Sequence, residues 1–76
     1  MMAYFVFSIH TDDSENYCYN EGDAPIEQYS EAAALENEMR RGKVAGDNYF
    51  VELIRADTYE EAATRADAKR PHPKRS

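Results

Sequence analysis

Cys18 is the only cysteine in 76 residues, so the chain cannot brace itself with an internal disulfide. A domain this short buries only about 60% of its unfolded surface, and it must hold together by packing alone. A lone cysteine in such a chain reads as a small buried hydrophobe, with a bond between two chains as the lesser alternative. Long apolar runs are missing, which argues against a membrane-spanning helix. The opening "MMAYFVFSIH" has no basic stretch before its short apolar run, so it does not read as a signal peptide. A reducing, cytoplasmic setting fits that usage. The three glycines (Gly22, Gly42, Gly46) make no G-x-G-x-x-G pattern, so no phosphate-binding loop is expected.

The most informative absence is of positive charge. Residues 1–38 hold nine acids and no Lys or Arg, whereas residues 39–76 hold six acids and nine bases, giving −9 and +3 and the net −6. Such asymmetry marks an interaction surface. It also makes nucleic acid an unfavourable main partner for the body of the protein, since phosphate would be repelled.

What is present reads as one small α+β domain over residues 1–68 with a basic, proline-containing tail over 69–76. "AYFVFSI" (Ala3–Ile9) is rich in aromatic and branched residues and reads as a buried central strand. Phe5, Phe7 and Ile9 share one face; Tyr4, Val6 and Ser8 share the other. "NYCYN" (Asn16–Asn20) reads as a second strand, joined to the first by a turn-rich loop. "SEAAALENEMRRG" reads as a helix with Ser30 as N-cap, Arg40 and Arg41 at its negative end, and Gly42 as the left-handed residue that ends it. "YFVELIRA" is a third strand, and "TYEEAATRADAKR" a second helix opened by a Thr58–Glu61 capping box. The order β-β-α-β-α predicts a three-stranded antiparallel sheet with its first strand central and its helices packed on one face. Both outer strands would be edges, which leaves a dimer through an edge open. The tail "KRPHPKRS" is expected to be mobile, with nothing to bury.

Chemistry-bearing patterns are sparse. Asp12, Ser14 and Asn16 alternate as in a calcium loop, but the sixth position is Tyr17 and the twelfth is Asp23, which excludes an EF-hand. His10, Cys18 and His72 have no zinc-type spacing. A Cys18–His10 pair across the first hairpin would still need an orienting group and a pocket. No catalytic residue, metal or cofactor is assigned, and the protein reads as a non-enzyme. The acidic segment remains. Asp12, Asp13, Glu15, Glu21, Asp23, Glu27 and Glu31 offer charge as a phosphate backbone does, and Tyr17, Tyr19 and Tyr29 are interleaved as interface aromatics. Their complement is a basic groove of a host protein or nucleoprotein complex, met by a monomer or homodimer.

The short acidic single domain, the "YFVFSI" strand and the "SEAAALENEMRRG" helix followed by "YFVELI" together resemble the small phage-encoded anti-CRISPR inhibitors of type I systems. The resemblance covers residues 3–66 in style, without a diagnostic motif. It implies a stoichiometric inhibitor that occludes the DNA-handling surface of a CRISPR surveillance complex (Cascade) in the host cytoplasm. The alternatives are an antitoxin-like or regulatory partner that uses its basic tail on DNA, and a small structural subunit of a phage.

Overall fold

β1 (Ala3–His10) is apolar on both of its rows, and a strand of that kind is stable only if both rows are covered. The computed structural model, which describes residues 2–12, 14–43, 46 and 48–71, covers them both. β1 lies between β2 (Tyr17–Cys18) and β3 (Tyr49–Ala56), antiparallel to each, in the order β2-β1-β3. This is the expected three-stranded antiparallel sheet with the first strand central.

The helices do not share a face. Phe5, Phe7 and Ile9 pack with Cys18, Ile54 and Ala56 under Ala62 and Ala66 of α2 (Tyr59–Ala68). Val6 packs with Val51 under Ala32, Leu35 and Met39 of α1 (Tyr29–Arg41). Alternate residues of one strand point to opposite sides, so the two helices enclose the sheet. The one-face expectation is corrected by the second apolar row of β1, which would otherwise face water. Small alanines at the contacts let each helix approach closely, and Ala32, Ala62 and Ala66 are fully buried.

Helix ends differ in detail from their sequence reading. Thr58 caps α2, its hydroxyl accepting from the Glu61 N–H at 3.2 Å, while the Glu61 carboxylate bridges to Arg65 at 2.7 Å. α1 begins one residue before Ser30, with Gln28 at its N-cap and no side-chain cap bond. Gly42 ends it in right-handed geometry, φ −78°, so the glycine supplies no left-handed turn there.

β2 spans only two residues because Asn20 replaces the backbone as the partner of β1. The Tyr19 N–H still donates to the Val6 carbonyl at 2.8 Å. The buried Asn20 side chain then takes over: Oδ1 accepts the Val6 N–H at 3.0 Å, and Nδ2 donates to the carbonyls of Tyr4 at 3.0 Å and Ala24 at 2.7 Å. A 3₁₀ turn, Glu21–Asp23, follows, with Gly22 at φ 60° and Asp23 at φ 56°. Glycine adopts that left-handed geometry without cost, and aspartate is one of the few other residues that tolerates it. Pairing resumes at Ile26, which exchanges two backbone bonds with Tyr4.

The free edge of β3 is occupied. Thr11 bonds to Asn48, so by alternation Val51, Leu53 and Arg55 turn their backbone groups outward. Arg40 of α1 donates to the Val51 carbonyl through Nε at 3.3 Å and Nη2 at 3.1 Å, and the Glu36 carboxylate accepts the Leu53 N–H at 3.0 Å. From the other face, Arg65 of α2 donates to the Arg55 carbonyl at 2.6 Å. Charged side chains laid along an edge are a recognised way of blocking strand addition, so of the two edges only that of β2 is left for a dimer of the kind considered from sequence.

Candidate functional site

The residues singled out in the acidic segment do not form one patch. Asp12 stands in the β1–β2 loop, where the Ser14 N–H donates to its carboxylate at 2.9 Å and holds its pKa below the usual carboxylate range. That loop is tied to the end of α2: the Asn16 Oδ1 accepts the His10 N–H at 2.9 Å, and its Nδ2 donates to Asp67 at 3.0 Å. Glu15 is exposed in the same loop, and Asp13 lies outside the described residues.

The base that the first half of the sequence lacks is supplied from its far end. Arg70 is buried, at 9% exposure, with Nη2 donating to the Asp12 carbonyl and Nη1 reaching the Asn16 Oδ1 at 3.5 Å. The sequence placed Arg70 in a tail with nothing to bury. The correction is physical: a long side chain is buried where its charged end is met, and the β1–β2 loop supplies acceptors for this guanidinium. Lys69 is the C-cap of α2, so the ordered body extends past 68. Residues 72–76 of the expected tail lie outside the described residues.

Asp23 belongs to the α2 side of the sheet. It adds to the pKa of Cys18, whose thiol is pushed up first by burial, and to that of Tyr59, likewise raised first by burial. Cys18 is free and buried in the core, as its composition suggested. The Cys18–His10 pair does not form. The register puts Cys18 opposite Phe7 on the α2 face, whereas His10 lies in the row of Ser8, whose hydroxyl is 3.3 Å from the His10 Nε2.

Tyr17 and Tyr19 lie on the α1 face, opposite Ser8 and beside Val6. Their rings meet edge to face, with centroids 5.5 Å apart. Tyr4 continues the row and meets Tyr29, at the start of α1, at 5.6 Å. Tyr19 and Tyr4 are partly buried against the Val6 cluster, whereas Tyr17 and Tyr29 are 63% and 61% exposed. Tyr29 was among the aromatics expected from the sequence, whereas Tyr4 was missed as a member of this row. Tyr4 sits in the central strand, so only the register brings it to Tyr29 and beside Tyr19. Glu21 and Glu27 are exposed on the stretch that carries Tyr19 into Tyr29, and Glu31 is exposed in the first turn of α1.

Concavities are shallow. An open depression of about 470 Å³ lies over Asn37, Arg40 and Arg41, and a smaller one of about 180 Å³ lies between Met2, Ala3, Pro25, Glu27 and Asp57. Among the described residues no three His, Cys, Asp or Glu side chains are placed to hold a metal ion, and no helix is long and apolar enough to cross a membrane. No protein-family model matches the chain, and neither a curated protein nor a solved structure matches it, so its function is argued from its own surface.

Proposed function

We propose that the protein is a non-enzymatic binding protein that occludes a basic, nucleic-acid-handling surface of a partner. The observation that carries this reading is the stretch from Tyr17 to Glu31. Its acids Glu21, Asp23, Glu27 and Glu31 are all exposed, it contains no base, and it also carries the exposed rings of Tyr17 and Tyr29. Exposed carboxylates steer a protein onto a basic groove and exclude wrong partners, while aromatic rings hold the docked state. The resemblance to type I anti-CRISPR inhibitors names a CRISPR surveillance complex in the host cytoplasm as the first partner to try. The antitoxin-like alternative, with the tail on DNA, is weakened by Arg70, whose guanidinium is engaged within the fold.

The test is displacement of DNA from a purified type I surveillance complex, followed with association rates at two salt concentrations. Wild-type protein should displace DNA, with an association rate that falls steeply as salt rises. The triple variant Glu21→Gln, Glu27→Gln, Glu31→Gln should fold normally and associate about tenfold more slowly at low salt, with a flatter salt response. An unchanged rate and slope would reduce these acids to a solvated surface.

A further inference from the structure

We infer that the tyrosine row Tyr17–Tyr19–Tyr4–Tyr29 is an arginine-reading surface, on which guanidinium groups of a basic partner stack and lysines do not substitute. This deepens the proposed function and rests on the same face of the molecule. Three observations lead to it. The two edges of the sheet are treated differently: that of β3 is covered by Glu36, Arg40 and Arg65, whereas beside β2 the exposed rings of Tyr17 and Tyr29 face solvent. The rings are fixed rather than loose, since each exposed one is braced edge to face by a half-buried neighbour, at 5.5 and 5.6 Å. The charge around the row is of one sign, because the stretch 17–31 has no base and exposes Glu21, Glu27 and Glu31 besides Asp23 on the α2 side, and the partnered arginines Arg40, Arg65 and Arg70 are engaged with β3 or the β1–β2 loop.

Those features select the chemistry of the occupant. A flat, delocalised guanidinium stacks on a ring face while its edge still donates to a carboxylate. An ammonium is compact and strongly hydrated and gains mainly from the carboxylates. Acids alone would bind both cations alike. Preordered rings on a stretch whose only charges are acids favour arginine.

The test uses the full chain with two probes, octa-arginine and octa-lysine peptides, at one fixed salt concentration. Octa-arginine should bind about tenfold more tightly than octa-lysine. In Tyr17→Leu/Tyr29→Leu, which keeps apolar area but removes the ring faces, the ratio should fall to about one with octa-lysine binding unchanged. A wild-type ratio near one, or a ratio the double variant leaves intact, overturns the inference. The two readings fail separately. A protein that displaces DNA from its partner yet shows no arginine preference loses only the arginine-reading surface. One that prefers arginine but displaces no DNA loses only the proposed function.

Discussion

Asn20 is the residue on which the β2 side of the sheet depends, and its replacement gives a calculable result. Asn20→Ala removes three hydrogen bonds, but their losses are unequal. The Ala24 carbonyl is on an exposed residue and regains water. The Tyr4 carbonyl keeps the Ile26 N–H at 3.1 Å. The Val6 N–H, on a fully buried residue, keeps nothing. One orphaned buried donor plus partial losses at two acceptors comes to about 2–4 kcal/mol. For 76 residues the whole stability is about 4–11 kcal/mol, so the variant should be folded but visibly weakened in urea, with its midpoint lowered and its slope preserved. Asn20→Asp adds a pH test. The new carboxylate would face two carbonyls in a buried site, so its folded pKa would lie above the unfolded value of about 3.9. The folded state then favours the protonated form. Stability is retained below the unfolded value and lost as pH rises through the folded one, so this variant should be less unstable at pH 4 than at pH 7, measured against wild type. An Asn20→Ala loss under about 1 kcal/mol, or an Asn20→Asp penalty that does not change with pH, would refute the view that this side chain replaces a strand.

Truncation after Ala68 should lower the melting temperature, and Arg70→Ala alone should cost about 1–3 kcal/mol, because the Asp12 carbonyl and Asn16 lose a buried charged donor; an unchanged thermal midpoint for the truncated chain would sink this. Cys18 should resist alkylation in the native protein and react at once in denaturant. Its folded pKa lies above the ordinary 9.0, so its contribution to stability is full below that value and is lost as pH rises through the folded one. Cys18→Ala should remove the alkaline loss that begins near pH 9 and leave the later one due to Tyr59, whose pKa is also raised.

Much of the backbone was legible. β3 falls on "YFVELIRA" without a shift, and Thr58 begins α2 as its capping pattern requires, because these signals are local. The placement of the helices was also written in β1, whose two apolar rows demand two covers; an antiparallel sheet with one wet face is the commoner case, and that prior obscured it. Arg70 could not have been read. Nothing within ten residues of it marks a partner loop 58 positions away, and the prolines beside it argue for an end. The tyrosine row was legible but for one member: Tyr17, Tyr19 and Tyr29 lie among the acids of one stretch, whereas Tyr4, in the central strand, joins them only through register.

The covering of β3 also bears on the order of folding. Its outward carbonyls and N–H groups are met by Glu36 and Arg40 from one helix and Arg65 from the other, on opposite faces of the sheet. Neither helix alone closes the edge. Until both have docked, a strand of eight residues offers unmet bonding groups to any neighbouring chain. Crowded synthesis is therefore the most hazardous moment for this protein, and protection against self-association is acquired only with the last helix.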